Sequence, residues 1–521
     1  MLHHTIGSLV ERCALMYGPE TAVVHGSQRI TYHEQISRIR RSGRALLGLD
    51  LLPGDRVAIL MADRPELLDV YYGALWAGLA VVPLNAKLGV ADHTYIVQDS
   101  GARVLVHDAE HADRTTEIQA ELGIESLVCV DDDAVLPDGV SLPRLRLEYP
   151  DGPGMPVVSP YDMFGIYYTG GTTGRPKGVV HSHRSFIAAL FSEMLELGLG
   201  ERDVFAHVAP LTHAGGAFVL PVWLRGGTNV ILGGFDPEHL LDSIERNRVS
   251  ATLLVPTMLY VLLDSVPSNG VDLSSLATVV YGASPIGQQR LMQAIDRLGP
   301  IFAQLYGQTE APNQLTVLRK SDHAAAVASG DLEPLTSCGR PVAIADLRIV
   351  SDDLAEVQAG EPGEIAARGP HVMSRYWNRP DETAETLRDG WLCTGDIARV
   401  DERGFVYIVD RKKDMIISGG FNVYPKEVEA ALFAHPAVRD ACVIGVPDEK
   451  WGEAVKAVVV TDPDVPVRPD ELISWVKERK GGVLAPKTVD RVAAIPLTAV
   501  GKHDKPALRS TYWGARDRAV N

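Results

Sequence analysis

Tyr168-Thr169-Gly170-Gly171-Thr172-Thr173-Gly174-Arg175-Pro176-Lys177-Gly178 begins where the apolar run Phe164–Tyr168 ends. The run predicts a buried strand. Glycine lets the backbone after it approach a ligand closely, and the freed N–H groups can line up on an anion. Thr169, Thr172 and Thr173 add hydroxyl donors, and Lys177 adds a charge. This chemistry suits a polyphosphate. The loop is not a Walker A loop, because Pro176 stands where that pattern needs glycine before its lysine, and Gly178 where it needs Ser or Thr.

Outward from that stretch, apolar and often β-branched runs alternate with helical patterns. Arg56–Leu60, Arg103–His107, Ser126–Val130, Asn229–Leu232, Thr252–Val255 and Thr278–Tyr281 predict further strands. Pro237–Asn247 predicts a helix, with Asp236 placed to cap it and Pro237 at its first position. Such alternation predicts an α/β body with layered, mainly parallel sheets. A chain of 521 residues is too long for one core, so two or three domains are expected. The charged cluster Asp410-Arg411-Lys412-Lys413-Asp414 marks the boundary, giving a large domain over 1–410 and a small α+β domain over 411–521. In the small domain Pro425–Ala434 predicts a helix, and Ala441–Gly445 and Ala454–Val460 predict strands.

Hydrophobic residues make up 46% and charged residues 22%, as in a soluble globular enzyme. The net charge of −17 argues against nucleic acid as a partner. From Arg411 onward, 18 Lys+Arg outnumber 15 Asp+Glu, so a slightly basic segment follows an acidic body. The five cysteines form no CxxC pair, so neither a disulfide framework nor a thiolate zinc site is expected, and a cytoplasmic location fits. No signal peptide is expected. The uncharged run Val70–Ala86 is interrupted by Pro83 and predicts a core helix running into a strand rather than a membrane span. His181-Ser182-His183 lacks a carboxylate at metal-site spacing, so no zinc site is expected there.

Four further strings carry chemistry. They are Tyr306-Gly307-Gln308-Thr309-Glu310, Trp391-Leu392-Cys393-Thr394-Gly395-Asp396, the cluster from Asp410 to Asp414, and Pro496-Leu497-Thr498-Ala499-Val500-Gly501-Lys502. Together with the loop after Tyr168, they resemble the signatures of the adenylate-forming superfamily: acyl-CoA synthetases, adenylation domains of peptide synthetases, and luciferases. The resemblance implies a large multi-subdomain body and a small mobile C-terminal domain, with ATP, Mg²⁺ and CoA as cofactors. It implies that Thr169, Gly170, Gly171, Thr172, Thr173, Gly174 and Lys177 cradle phosphates. Glu310 would contact Mg²⁺, Thr309 the α-phosphate, and Tyr306, Gly307 and Gln308 the nucleotide. Asp396 and Arg411 would take the ribose hydroxyls, Lys413 would be the hinge, and Lys502 would align the attacking carboxylate. Many relatives carry an aliphatic residue where His503 stands, which puts a titratable group beside Lys502.

Other segments resemble the substrate region. Pro210-Leu211-Thr212-His213 resembles the stretch that sets an aromatic residue or histidine beside the acyl carboxylate, and the small Ala214-Gly215-Gly216 leaves room in a pocket. Tyr281-Gly282-Ala283-Ser284 resembles the loop bordering adenine and the acyl pocket; it is not a nucleophile elbow, since Ile286 holds the last glycine position. Gly419 and Gly420 resemble the pantetheine-tunnel loop of CoA ligases, and Trp451-Gly452-Glu453 a segment of the same enzymes. The expected activity is therefore ATP-dependent adenylation of an aryl, alicyclic or medium-chain carboxylic acid, followed by transfer to CoA. A carrier-protein thiol, an amine or another nucleophile is the alternative acceptor, and a non-catalytic scaffold is a remoter reading. A homodimer is compatible with the sequence.

Overall fold

The computed structural model describes residues 4–513 except 135, 137, 138, 153, 155, 170–174, 267–269, 285 and 498–502. Two compact units emerge. One comprises residues 1–170, 176–347 and 367–392, the other residues 171–175, 348–366 and 393–521.

Two large sheets build the first unit. The eight-stranded sheet runs in the order Arg375–Tyr376, Lys177–Ser182, Met163–Thr169, Ala80–Pro83, Arg56–Leu60, Val104–His107, Ser126–Cys129, Gly139–Ser141. Its strands are parallel from Met163–Thr169 onward and antiparallel at the other edge. The nine-stranded sheet has a parallel centre from Phe302–Gln308 through Thr278–Gly282, Ala251–Leu254, Val204–His207 and Thr228–Ile231 to Thr21–His25. Antiparallel strands flank it on both sides.

The central strands are apolar nearly throughout because helices cover both faces of a parallel sheet. Val57, Ala58, Ile59 and Leu60 are all fully buried, as are Ala80, Val81 and Val82. Val70–Ala86 resolves as expected into a helix, Pro65–Trp76, and the strand Ala80–Pro83. Gly78 (φ +78°) makes the turn between them. The helix Pro237–Asn247 has the expected limits, and the Asp236 side chain accepts from His239 N at 2.7 Å. The remaining expected strands appear within one residue of their expected ends.

The second unit holds a five-stranded sheet in which Gly452–Thr461 pairs antiparallel with Val438–Asp448 and Ile416–Ser418, and parallel with Thr488–Arg491. Helices Pro425–Phe433 and Pro469–Leu484 supply Val428, Leu432, Leu472 and Val476 to its core. The expected strands of the small domain lie inside these elements, and the expected helix ends one residue later than the observed one, whose C-cap is Ala434.

One polar group sits deep in the first unit. Asp69, on the buried helix Pro65–Trp76, has no exposed surface. It accepts from Gln35 Nε2 (2.8 Å), Arg38 Nε (2.8 Å) and Arg146 Nη2 (3.1 Å). Removing one partner of a buried ion pair strands the other, at a cost of about 3–5 kcal/mol. Asp69→Leu is therefore expected to destabilise the protein by that order, read as a lower urea midpoint, and Arg146→Met by less, because Asp69 keeps two partners.

Candidate active site

Within the first unit, the hairpin between Met163–Thr169 and Lys177–Ser182 pairs Thr169 with Lys177 and Tyr168 with Gly178. Thr169 Oγ1 donates to Lys177 O at 3.5 Å. Gly170, Gly171, Thr172, Thr173 and Gly174 lie outside the described residues. Alternation along a strand places Lys177, Val179 and His181 on one face. Tyr376 pairs with Val179. Its ring lies 5.1 Å from Lys177 Nζ, and its hydroxyl donates to Glu310 Oε1 at 2.6 Å. His181 Nε2 donates to Thr309 O at 2.8 Å. Burial lowers the His181 pKa to about 4, so it stays neutral. The structure thus joins the first signature to the second through two side chains, Tyr376 and His181. His183 faces elsewhere, with Nδ1 accepting from Ile6 N at 3.3 Å. Among the described residues no cluster of three or more metal-ligating side chains occurs.

Thr309 and Glu310 form the two-residue tip between Phe302–Gln308 and Ala311–Leu318, with Gln308 opposite Ala311. Glu310 is nonetheless buried, because Tyr376 takes its carboxylate and Met373 N donates to its carbonyl at 2.8 Å. Gly307 interrupts the register; a Cβ there would sit 2.5 Å from Asn313 C. Asn313 holds φ +60° opposite it. The Tyr306 ring packs against the cluster of Val179, Ala311, Leu315 and Tyr376.

The neighbouring strand end behaves similarly. Gly282 pairs with Leu305, and a Cβ on Gly282 would meet Leu305 O at 2.5 Å. Ala283, exposed at φ +65°, and Ser284 follow it. Tyr281 is a core residue: it is fully buried, and its hydroxyl donates to His323 Nε2 at 2.9 Å beside Gln304. His213 is exposed at the head of the turn Ala214–Phe218. The turn itself requires Gly215 and Gly216, where Cβ atoms would fall 2.5 Å from Ala209 O and 2.0 Å from Leu211 O.

Sequence reasoning missed Asp63, whose Oδ1 accepts from Leu211 N at 2.9 Å and so anchors the Pro210–His213 segment. Its signal was available: an acid just past the C-terminal end of the parallel strand Arg56–Leu60, where ligands bind open α/β sheets. Burial pushes the Asp63 carboxyl up to about 6, with the Leu211 hydrogen bond and Lys87 working the other way. Tyr376 was also missed, because a two-residue strand carries no periodicity.

In the second unit, Asp396 stands opposite Arg411 on antiparallel strands, and Arg411 Nε meets Asp396 Oδ1 at 2.6 Å. Glu364 accepts from Gly395 N (2.9 Å) and from Lys412 Nζ (2.9 Å), tying the Asp396 turn to the segment after Arg411. Lys413 lies in the short turn Lys412–Asp414, its pKa lowered by burial and then by Arg411. Asp410 accepts from Lys426 N at 2.8 Å, and Asp414 pairs with Arg509 at 2.7 Å. Gly419 (φ +60°) and Gly420 (φ +81°) make the next turn, and a Cβ on Gly419 would strike the Trp451 ring at 2.5 Å. Trp451 is 38% exposed, with Lys450 Nζ 4.7 Å from its ring centre. Lys502 lies outside the described residues. Its flanks converge: Leu497 bridges to His503, Asp504 N donates to Pro496 O at 2.8 Å, and His503 Nε2 meets Asp440 Oδ2 at 3.0 Å.

Comparison with known proteins gives consistent matches. The profile described as AMP-binding enzyme matches residues 10–377, and that described as AMP-binding enzyme C-terminal domain matches residues 427–502. The chain is 42% identical to the medium/long-chain-fatty-acid–CoA ligase FadD8 of Mycobacterium tuberculosis, over 95% of this chain and 88% of that protein. It is 39% identical to a feruloyl-CoA synthase from an Amycolatopsis species, over 98% of this chain and all of that protein. Among solved structures, the amide bond synthetase McbA from Marinactinospora thermotolerans superposes with a TM-score of 0.88 at 30% identity, covering 98% of this chain and 100% of that one.

Two outcomes follow from the geometry. Tyr376→Phe deprives the buried Glu310 of a donor and is expected to cost about 1–3 kcal/mol in chemical denaturation. For Asp63 the folded pKa, about 6, lies above the ordinary 3.8, so the fold binds this proton more tightly than the unfolded chain does. The associated stability is complete below 3.8 and is lost as pH rises through 6. Asp63→Asn keeps an acceptor for Leu211 N and avoids that loss. It is expected to be more stable than wild type at pH 8 by on the order of 1–3 kcal/mol, with the difference shrinking towards pH 5 in paired urea titrations.

Proposed function

Since the chain belongs to the AMP-binding enzyme family and is an AMP-forming acid–thiol ligase of the acyl-CoA synthetase type, we propose that it activates an aryl, alicyclic or medium-chain carboxylic acid through the residues described above. Its substrates are ATP, a carboxylic acid and CoA. In the first half-reaction the carboxylate displaces pyrophosphate from the α-phosphate of ATP, giving an acyl-adenylate; in the second, the CoA thiol displaces AMP.

The observation that carries the assignment of residues is the Lys177–Tyr376–Glu310 connection, which sets a cation and a buried carboxylate on the two sides of one tyrosine. In this reading Thr169, the loop through Gly174 and Lys177 bind the β- and γ-phosphates. Thr309 binds the α-phosphate, Tyr306 stacks on adenine, and Gly282–Ser284 border it. Glu310 supplies a fixed oxygen ligand, which suits Mg²⁺ completed by phosphate oxygens. When bound, Mg²⁺ neutralises charge on those phosphates. Tyr376 orients the Glu310 carboxylate through its hydroxyl. Asp396 and Arg411 take the ribose hydroxyls. Lys502 draws the two anionic reactants together and stabilises developing charge, the remainder being positioning. His213 borders the acyl carboxylate, and Gly419, Gly420 and Trp451 face CoA.

The functional domains in this reading are 1–410 and 411–521, with Lys413 the hinge that lets one C-terminal domain serve both half-reactions. No disulfide joins the five cysteines among the described residues and four of them are buried, which supports a cytoplasmic enzyme; no helix among the described residues is long and apolar enough to cross a membrane. A second acceptor class is favoured by one comparison: McbA, so similar in fold, is an amide bond synthetase.

The deciding experiment follows pyrophosphate release over a panel of aryl, alicyclic and linear acids, with and without CoA, and detects thioester by mass. A CoA-dependent thioester with one acid class supports the reading; release with no thioester moves the acceptor to an amine or a carrier thiol. Lys502→Ala is expected to lower adenylation by roughly 10²–10³ or more, by analogy with other charge-stabilising donors. Lys413→Pro is expected to slow thioester formation while adenylation is spared, and equal loss of both would reject the hinge.

A further inference from the structure

Glu364 lies on the strand Gly363–Arg368 and is buried. Its Oε1 accepts from Gly395 N at 2.9 Å, and its Oε2 accepts from Lys412 Nζ at 2.9 Å. Gly395 immediately precedes Asp396, and Lys412 immediately follows Arg411. One carboxylate therefore holds both chain segments that carry the pair assigned above to the ribose hydroxyls. The strands Gly363–Arg368 and Val406–Arg411 both pair with Trp391–Val400, so Glu364 ties three strands of one sheet together at the end where Asp396 and Arg411 meet.

That end of the sheet needs a tie. The ladder between the two strands holds Asp396 opposite Arg411 and Ile397 opposite Asp410, then slips between Ile397 and Ala398. Such an irregularity bends the strand and loosens the pairing beside it. Gly395 stands at φ +71° just before the pair. The Arg411 side chain is 42% exposed, so packing alone does not fix its direction. Lys412 also meets Asp352 at 2.6 Å, but Asp352 is 89% exposed, and ion pairs at the surface hold little. The buried Glu364 is the partner that gives the segment a fixed place. Its neighbour supports the same turn: Thr394 Oγ1 donates to Ile365 O at 2.9 Å and accepts from Asp396 N at 3.1 Å.

We infer that Glu364 is a positioning residue for nucleotide recognition: by holding Gly395 N and Lys412 Nζ at once, it sets Asp396 and Arg411 at the spacing that engages the ribose hydroxyls of ATP. It acts through those two neighbours and stands outside all five signature strings. The inference rests on the ribose assignment above and deepens it.

The test is pyrophosphate release with CoA and the fastest acid among benzoate, cinnamate, cyclohexanecarboxylate and octanoate. ATP is compared with 2′-deoxy-ATP and 3′-deoxy-ATP in wild type, Glu364→Ala, Glu364→Gln and Lys412→Met. The ratio of two nucleotides within one protein does not depend on how much of a variant folds. Wild type is expected to favour ATP over at least one deoxy analogue by roughly tenfold or more in kcat/KM, because a site built to bond a hydroxyl rejects the analogue that lacks it. Glu364→Ala is expected to bring that ratio to within about threefold of unity. Its KM for ATP is expected to rise roughly tenfold while the KM for the acid stays within about twofold. Glu364→Gln keeps an acceptor for Gly395 N and is expected to retain more of the preference than Glu364→Ala. Lys412→Met keeps the Gly395 bond, removes a half-exposed side chain and is expected to lower the preference at least about threefold; it decides the question if Glu364→Ala does not fold. An unchanged ratio in either Lys412→Met or active Glu364→Ala, or a parallel rise in both KM values of Glu364→Ala, would overturn the inference. A wild-type ratio near unity would overturn the ribose assignment and the inference with it, leaving acid activation intact. No pyrophosphate from any of the four acids would overturn the acid-activating reading itself, and the inference with it.

Discussion

The pleat of one short strand governs the first unit's site. Lys177, Val179 and His181 alternate with residues that face the other way, so one strand delivers a cation, a packing surface and a hydrogen-bond donor to the same side. Lys177 reaches the Tyr376 ring, Val179 packs with Tyr306 and Tyr376, and His181 fixes the Thr309 carbonyl. A slip of one residue against Arg375–Tyr376 would turn all three away at once. The edge pairing Tyr376↔Val179 is therefore as much a part of the site as the glycine loop that precedes the strand.

Buried polar groups in this body fall into distinguishable kinds. Asp69 is saturated by Gln35, Arg38 and Arg146 and reads as architecture, locking helix to helix where apolar contact alone gives no direction. Asp63 spends one oxygen on the backbone of the segment it orients. Glu193 has one carboxylate oxygen bonded by Asn313 and one that meets no hydrogen-bonding group among the described residues. The His181 imidazole is kept neutral by burial and works through a single N–H. Partnering, more than depth, separates groups that hold the fold from groups that have something left to offer.

In the second unit the ionic ties gather around residues 410–414. Asp410 caps the helix Pro425–Phe433 through Lys426 N, Lys412 reaches Asp352 and Glu364, and Asp414 holds Arg509. Burial works against the charge of Lys505, but Glu429, Asp410 and Asp414 more than offset it. The helix Lys505–Trp513, just past the lysine loop, is thus fastened to the same few residues that precede the glycine turn at Gly419 and Gly420. Because such partly buried pairs are less screened than surface ones, this segment is held by direct geometry and not by a diffuse field.

The sequence by itself determined the class of fold, the strands at the centre of the sheets, the helix Pro237–Asn247 and the signatures, because these depend on local pattern. A strand covered on both faces must be apolar throughout, as Arg56–Leu60 nearly is, and a capped helix announces its own start. Which residues meet was decided only in three dimensions. Tyr376 has no pattern around it and gains its role from an edge pairing with a strand some two hundred residues earlier. Asp63 and Leu211, which follow strands of two different sheets, or Glu193 and Asn313, on a helix and on a hairpin, are joined by tertiary packing, which no local spacing encodes. Even the glycines changed meaning: at Gly215 and Gly216 the sequence suggested room for a ligand, whereas the folded chain fills that room with its own carbonyl oxygens. Propensity and periodicity are properties of neighbours along the chain; desolvation, pairing and steric exclusion are properties of neighbours in space, and a binding site is made of the second kind.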